Sequence, residues 1–440
     1  MIRVASVLAL LSLLSQGIAL AALPIITVFF SPEDFNHLAA FSSAALILIT
    51  IAALRLEMAI PIVESGRDAR ILALTGTVVC IFLSFVVGVA LWAILPFSGI
   101  SKALRSSLSL LPLAVLFGGL QVVALGLALR QQKLFATGIV RLIQTIFGLA
   151  TQIAIGYWTF VEFGLVIGFL VNILTGAVIL TILVKFDLPT DDRLSFGDFR
   201  RVIYGQKDYV RYSSVDALLN TSGLQLPLFL ISVYGEGATG GLLFLAIKLF
   251  YTPSTIVSGA FAKIYHSTVG VTLREGCLTE FTQEILLNLT RYGGGLVIAA
   301  VVLGPTFVEL VMGPDWRLTG QLLIWMAPWI MLQLTASPIA TVFMAQGKQK
   351  QMFVLSTFGF VMRISLVLIA LIYFPEVAGV FLCVGSALFY LLVLAYASKL
   401  SGLSLSSFAT IGRKAMPLLL ATATLSYILK LSLEEGLFNV

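Results

Sequence analysis

Charged residues are scarce in this sequence. Only 11% of the 440 residues are Asp, Glu, Lys or Arg, against about 25% in ordinary soluble domains. Hydrophobic residues make up 59% of the chain. This composition excludes a water-soluble fold and predicts an all-α integral membrane protein, because a helix satisfies its own backbone hydrogen bonds inside the bilayer.

Metal-binding and disulfide-forming residues are also few. The only histidines are His37 and His266, and the only cysteines are Cys80, Cys277 and Cys383. They are far apart along the chain, so neither a zinc site nor a disulfide framework is indicated. A phosphate-binding GxxxxGK[ST] loop is also missing from the sequence. We therefore predict no catalytic residues, no metal site and no resident cofactor, with H⁺ or Na⁺ as the candidate coupling ion of a transport process.

Long apolar runs dominate the chain, and about 20 such residues suffice to cross a bilayer. The runs predict twelve membrane helices, approximately at residues 4–30, 37–60, 71–95, 107–129, 134–156, 163–184, 210–233, 238–262, 291–311, 318–345, 352–373 and 376–398. A shorter run over about 415–430 leaves a thirteenth helix, and with it the side of the C-terminus, open.

Basic residues lie mainly in the gaps between these runs and give the chain a net charge of +6. If the N-terminus is cytoplasmic, only four of the 27 Lys and Arg residues are periplasmic: Lys102, Arg105, Arg317 and Lys430. This asymmetry follows the positive-inside rule. It predicts a multi-pass protein of the bacterial inner membrane with a cytoplasmic N-terminus, and it indicates topology rather than a nucleic-acid partner.

Two lobes are predicted from the longest polar connection and from an internal repeat. The predicted divisions are a six-helix lobe over 1–185, a cytoplasmic linker over 186–209, a second six-helix lobe over 210–400 and a C-terminal extension over 401–440. Leu23-Pro24 recurs 203 residues later as Leu226-Pro227, and Gln132-Lys133 recurs 217 residues later as Gln349-Lys350. Six helices per copy make the repeat parallel, an arrangement common among transporters with a substrate site near the midplane between the lobes.

Four cations fall within the predicted helices, where a charge costs about 2.5 to 3.5 kcal/mol. They are Lys248, Arg363, Arg141 and Arg55. Lys248 heads a polar stripe that includes Thr252, and it either lines a water-filled cavity or pairs with a buried carboxylate. Arg141 either joins the cavity or extends its charge to the cytoplasmic surface. Arg55 is favoured as an interfacial anchor, with Glu57 expected on a different helix face.

Neutral and acidic polar residues complete the candidate site. Asp216 shares a predicted helix face with Asn220, and Gln144 lies on the same face as Arg141. Asp216 pairs with a cation, binds the proton or sodium ion that drives transport, or forms a hydrogen bond between helices. Asn220, Gln144 and Thr252 are candidates for ion coupling or for a polar stripe. The excess of cations over deep acids predicts a cavity that attracts anions, and phosphate suits such a field.

Several segments resemble one known family. They include SPEDFNHLAAFS from Ser31, LRQQKLFATGIVRLIQ from Leu129, the long stretch LLNTSGLQLPLFLISVYGEGATGGLLFLAIKLFYTPSTIVSGA from Leu218, and MGPDWRLTG from Met312. Over about residues 1–400 the chain is similar to the polysaccharide-transporter (Wzx-like) branch of the multidrug/oligosaccharidyl-lipid/polysaccharide (MOP) flippase superfamily.

That resemblance implies a MOP/MATE-like fold of about twelve helices in two lobes that work by alternating access. The implied substrate is an undecaprenyl-diphosphate-linked oligosaccharide for O-antigen, capsule or exopolysaccharide. Lys248, Arg363, Arg141 and Arg55 would then compensate the diphosphate charge. The implied partners are this lipid-linked oligosaccharide, membrane lipids, and the polymerase and chain-length proteins of the same export pathway.

Three alternatives remain open at this stage. A MATE-type drug or metabolite exporter would have acidic residues in the first lobe, whereas the first predicted helix carries no charge after Arg3. A membrane-embedded glycan polymerase or glycosyltransferase would need a large loop with catalytic acids or bases, and the predicted loops are short. A scaffold of an export complex would not need basic residues at the midplane.

Overall fold

The computed structural model describes residues 2–97, 99–158, 163–184, 196–207, 210 and 213–438, without the side chains of 2–9, 196 and 435–438. Within these residues every regular element is a helix, and thirteen helical segments are long and apolar enough to cross a membrane. The all-α membrane prediction is thereby confirmed. The run over 415–430 lies in the thirteenth of these segments, Leu405–Glu434.

The chain forms two compact units, unit 1 (Met1–Val233) and unit 2 (Tyr234–Val440). The helices of unit 1 are α1 (Ile2–Phe29), α2 (Pro32–Ala52), α3 (Leu56–Ala59), α4 (Gly66–Ile94), α5 (Lys102–Leu108), α6 (Leu111–Arg130), α7 (Leu134–Trp158), α8 (Gly164–Leu183), α9 (Phe196–Gly205) and α10 (Ser214–Tyr234). A 3₁₀ turn, Leu95–Phe97, follows α4.

Unit 2 contains two five-residue π-helical turns, Ile247–Tyr251 and Leu289–Gly293, each set between α-helices. Its α-helices are α11 (Thr239–Ala246), α12 (Thr252–Glu275), α13 (Leu278–Asn288), α14 (Gly294–Met312), α15 (Arg317–Ile339), α16 (Val342–Ala345), α17 (Gln349–Tyr373), α18 (Ala378–Leu400) and α19 (Leu405–Phe438). Two 3₁₀ turns, Pro314–Trp316 and Pro375–Val377, precede α15 and α18.

Helix α10 packs in unit 1, although it follows the linker in sequence. Asn36 Nδ2 on α2 donates to the Ser232 carbonyl oxygen at 2.8 Å. Further along the same pair of helices, Thr50 Oγ1 donates to Thr221 Oγ1 at 3.2 Å. Interhelical hydrogen bonds of this kind are worth about 0.6 to 2 kcal/mol in a bilayer. The lobe boundaries predicted from the sequence stay a prediction, and linker residues 186–195 and 208–209 lie outside the described residues, as do Lys185 and Arg193.

The second predicted helix, over 37–60, ends early. Helix α2 starts at Pro32 behind the N-cap Ser31, which forms a capping box with Asp34, and stops at Ala52. Leu54 and Arg55 then adopt φ angles of 49° and 60°, an uncommon conformation for residues with a Cβ. Arg130 on α6 stabilises the segment that follows by donating hydrogen bonds to the carbonyl oxygens of Ile60, Val63 and Glu64. These contacts between distant residues override the apolar pattern.

The turns before α7 and α17 share one geometry. In each turn the backbone N–H of a lysine bonds to a carbonyl five residues earlier, Lys133 to Ala128 and Lys348 to Phe343. Each turn also bonds to the last residue of a neighbouring helix in its own unit. Lys133 Nζ donates to the Leu183 carbonyl oxygen at 2.7 Å, and Gln346 Nε2 donates to the Leu400 carbonyl oxygen at 2.7 Å. The matching residues are 215 positions apart, not the 217 predicted from Gln132 and Gln349.

The core of unit 2 forms around α15, the most buried of its long helices. Trp316, Trp329 and Met326 are almost completely buried. Helix α19 lies along α14, and Arg291 in the π turn before α14 donates two hydrogen bonds to the Lys414 carbonyl oxygen. Unit 2 is therefore a helical bundle whose interior is built from α15 and the helices that contact it.

Candidate functional site

Arg363 is a buried cation near the middle of α17. It lies about 15 Å from the Tyr373 end of the helix at 1.5 Å per residue, and only 8% of its surface is exposed. Its Nε donates to the Gly359 carbonyl oxygen at 3.2 Å. Its guanidinium carbon lies 4.5 Å from the centre of the Phe389 ring. This stacking on an aromatic face is a cation–π contact of about 0.5 to 2 kcal/mol.

Two tyrosines from other helices bring polar groups to this cation. Tyr251, from the first π turn, and Tyr390, from α18, both interact electrostatically with Arg363. Gln333 on α15 interacts with the Tyr251 side chain, and Ser337 on the same helix interacts with the Tyr390 side chain. Arg363 is thus joined through tyrosines to α15, to α18 and to the π turn.

An aromatic ring, Trp329, packs against Tyr251 beside these polar groups. The Trp329 ring lies 5.7 Å from the Tyr251 ring at 45°, within the distance range of favourable aromatic pairs. Phenolic hydroxyls donate hydrogen bonds to phosphate oxygens, and a guanidinium forms charge-assisted ones. We name Arg363, Tyr251, Tyr390, Gln333 and Trp329 the arginine–tyrosine cluster. Its chemistry suits an anionic group with polar substituents.

Lys248 lies on the same π turn as Tyr251. Lys248 lies about 13 Å along the helix from the start of α11 at Thr239, and its side chain is nevertheless exposed. Its Nζ lies 5.2 Å from the centre of the Phe244 ring, a second cation–π contact. Pro253, in the first turn of α12, has no backbone N–H for an α-helical hydrogen bond, which accounts for the wider turn before it. Thr252 starts α12 and is half-buried.

The two other cations predicted for the site lie in unit 1. Arg141 on α7 is exposed and donates to Ser12 Oγ on α1 at 3.3 Å. Arg55 forms an ion pair with Glu57 at 3.5 Å. The expectation that Glu57 would face away from Arg55 was wrong, because that expectation assumed a continuous helix and α2 ends at Ala52.

Glu57 is a buried carboxylate outside the membrane-spanning segments. Only 5% of its surface is exposed, and its Oε2 has no hydrogen-bond partner among the described residues. Burial raises the pKa of this carboxyl above its usual 4.5, and this effect exceeds the lowering by a backbone hydrogen bond and by Arg55. Glu57 is therefore held in an environment that favours its neutral form.

Gln144 forms hydrogen bonds between helices in unit 1. Its Oε1 accepts from Gln121 Nε2 on α6 at 2.9 Å, and its backbone oxygen accepts from Asn172 Nδ2 on α8 at 3.0 Å. Gly176 on α8 leaves room for this pair, since a Cβ there would lie 2.1 Å from Gln144 Oε1. Gln144 thus connects α7 to α6 and α8 through hydrogen bonds.

Asp216 and Asn220 lie near the start of α10, and both are exposed. Asp216 is in the first turn of the helix, where a negative charge is stabilised by about 0.3 to 1 kcal/mol. The roles in transport or ion coupling expected of these residues, of Gln144 and Thr252 and of the four cations stay predictions.

Sequence reasoning missed Gln333, Trp329, Phe389 and Tyr390. A lone glutamine in an apolar run was a usable signal for Gln333. Nothing in the local pattern indicated the aromatic residues, because they meet Arg363 from helices distant in sequence.

Two solved structures share the fold of this chain over most of its length. One is described as "Lipid II flippase MurJ, inward closed conformation", with a TM-score of 0.71, 14% identity, and coverage of 98% of this chain and 99% of that one. Another is an inward-facing multidrug resistance MATE family transporter of the MOP superfamily, with a TM-score of 0.59, 14% identity, and coverage of 90% and 94%. At these identities the likeness establishes the fold, which is that of MOP-superfamily transporters.

No curated protein sequence matches this chain significantly. The profile of the family described as "Polysaccharide biosynthesis protein" matches residues 25–319, about two thirds of the sequence. The match includes unit 1 from residue 25 onward, the candidate cations Arg55, Arg141 and Lys248, and the start of α15, and it ends before Arg363. The chain therefore belongs to the polysaccharide biosynthesis protein family.

Proposed function

We propose that this protein is a flippase that moves an undecaprenyl-diphosphate-linked oligosaccharide repeat unit across the bacterial inner membrane for O-antigen, capsule or exopolysaccharide synthesis. Membership of the polysaccharide biosynthesis family supports the pathway, and the MOP-superfamily fold supports transport rather than chemistry. The observation that carries the proposal is the arginine–tyrosine cluster, a permanently charged cation among phenols and an amide in the middle of a helical bundle.

Burying a guanidinium in this position is costly, and an anionic ligand would offset part of that cost. A diphosphate accepts planar, charge-assisted hydrogen bonds from Arg363, and the neighbouring hydroxyls suit the attached sugar. Lys248, exposed on the same π turn as Tyr251, adds a second positive charge. In this proposal transport proceeds by alternating access, with H⁺ or Na⁺ as coupling ion and Asp216 as a candidate for binding it.

The partners in this proposal are the lipid-linked oligosaccharide, the membrane lipids, and the polymerase and chain-length proteins that act on the flipped product. The chain itself supplies no catalytic group. The N-terminus lies on the cytoplasmic side, where the substrate is made.

The test is complementation of a strain that lacks the gene. Arg363→Ala and Lys248→Ala should each reduce surface glycan at least tenfold and cause lipid-linked oligosaccharide to accumulate, while membrane levels of the protein stay normal. Arg363→Lys keeps the charge but loses the planar, bidentate donor, so it should restore glycan only in part. Arg413→Ala removes an exposed cation from α19 and serves as the matched control.

A second arm separates the proposal from a drug exporter of the same fold. Purified protein in proteoliposomes should flip a fluorescent undecaprenyl-diphosphate oligosaccharide, measured by quenching of the outer leaflet, and Arg363→Ala should stop it. Normal glycan in both alanine variants, or a defect confined to drug efflux, would overturn the proposed function.

A further inference from the structure

A groove of about 420 Å³ runs along the start of α17, between that helix and α18. It is lined by Lys350, Gln351, Val354, Leu355, Phe358 and Tyr396. The volume lies in the range of small-molecule pockets, about 300 to 1,000 Å³. No residue of the arginine–tyrosine cluster lines this groove.

The polar groups of the groove gather at one end. Lys350 and Gln351 lie in the first turn of α17, whereas Val354, Leu355 and Phe358 follow over the next eight residues, about 12 Å along the helix. Tyr396 closes the polar end, and its ring is held by stacking on Phe343 at 5.6 Å and 13°. A site with one charged end and an apolar remainder matches an amphiphile that has a charged head and a hydrocarbon chain.

The polar end favours a negative charge. Lys350 is exposed and has no ion pair or hydrogen bond among the described residues. Gln351 also lines this end, and its side-chain NH₂ is a donor that can bond to an anionic oxygen. The N-terminus of the 25-residue helix α17 adds the positive end of a helix dipole. Lys350, the amide and the helix end together make an anion site.

The turn before α17 is closed without a lysine side chain, unlike the equivalent turn in unit 1. There Lys133 bonds to the end of α8, and in unit 2 Gln346 makes the matching bond to the end of α18. Unit 2 therefore closes its turn with the neutral side chain of Gln346, and the side chains of Lys348 and Lys350 are not used in this bond. The depth also fits a lipid, because α17 starts at the end of a membrane-spanning segment and the groove leads from there toward its middle.

We propose that this groove binds an anionic phospholipid of the surrounding bilayer, with its phosphate at Lys350 and Gln351 and one acyl chain along Val354 and Phe358. The site is independent of the proposed flippase activity, because it takes a resident lipid and not the transported substrate.

The experiment is native mass spectrometry of the full chain in detergent, titrated with phosphatidylglycerol. A cation near a lipid phosphate contributes about 1 kcal/mol, so Lys350→Gln should weaken phosphatidylglycerol binding about fivefold. Val354→Trp fills the apolar part without changing charge and should weaken binding at least as much. Lys348→Gln is the matched control, since it removes an equal charge two residues away and outside the groove. It should change binding less than twofold.

Each contrary result rejects the site. Equal weakening by Lys348→Gln and Lys350→Gln would show that net charge alone attracts the lipid. Unchanged binding in Val354→Trp, with normal thermal unfolding, would show that the chain does not lie in the groove. Lysine-dependent binding of undecaprenyl phosphate without binding of phosphatidylglycerol would assign the groove to a substrate-type lipid and overturn the proposal.

Discussion

Replacement of Gly359 by alanine should disrupt the packing of Arg363 by displacing the Phe389 ring on which Arg363 stacks. A Cβ at this position would lie 2.0 Å from Phe389 Cδ2 and 2.6 Å from Cε2. The α17 backbone at residue 359 and the Phe389 ring cannot both keep their positions. Overpacking of this kind lowers the free energy of unfolding by about 1 to 3 kcal/mol. Because Arg363 stacks on the same ring and bonds to the Gly359 carbonyl oxygen, displacement of the ring also displaces the guanidinium.

The control for this variant is Gly259→Ala in α12, where an added Cβ would meet nothing within 4 Å. Both variants gain the same helix propensity, up to about 1 kcal/mol, so their difference isolates the overpacking. Chaotrope or thermal unfolding in detergent should place Gly359→Ala about 1 to 3 kcal/mol below Gly259→Ala. Adding Phe389→Leu should restore much of the stability by removing the ring. Equal stability of the two alanine variants would refute the close contact.

Two further predictions concern unit 1. Burial raises the pKa of Glu57 in the folded state above its usual 4.5. Between pH 4.5 and that raised pKa the native state binds more protons than the unfolded state, so the stability of the wild type falls as the pH rises through this range. Glu57→Gln lacks this fall, and its melting temperature relative to wild type should increase from pH 4.5 upward; a difference that does not change with pH would contradict the buried carboxyl. Gln144→Leu should cost about 1 to 3 kcal/mol by leaving the Gln121 amide without its partner, whereas Gln121→Leu with Gln144→Leu should cost less than the sum, as measured by unfolding of all three variants. Strict additivity would show that the two amides do not interact.

The membrane helices could be predicted from the sequence because a bilayer allows few alternatives. A run of apolar residues long enough to span has to be helical, and its ends are marked by polar gaps. The prediction was wrong where the chain leaves the helix without a polar signal. The run up to Ile60 looked continuous, yet the backbone turns after Ala52 through Leu54 and Arg55. The segment after the turn is held by Arg130, which comes from a distant helix, and a local pattern does not contain such contacts.

The candidate site could be predicted in part. Charge is so rare in this chain that Lys248 and Arg363 were identifiable as single residues, and both lie well inside membrane-spanning segments. Their surroundings were not predictable, because Phe389 and Gln333 come from other helices and look like ordinary residues of apolar runs. Gln144 shows the opposite case, since its polar stripe was visible but its partner on α6 was not.

The π turn at Ile247–Tyr251 has a consequence for the phase of the eighth membrane-spanning segment. A π turn holds roughly one residue more than an α turn, so every side chain after it is rotated by about 100° from the direction that regular counting gives. Pro253 keeps the extra residue in place. Thr255 follows Lys248 by seven residues, which is two turns of a regular α-helix. Because of the π turn, the two side chains do not share one face of the segment. An alignment of this segment with an uninterrupted helix needs a one-residue gap at the π turn. Without the gap, the residues on one side of the turn would be aligned one position out of register with those on the other side.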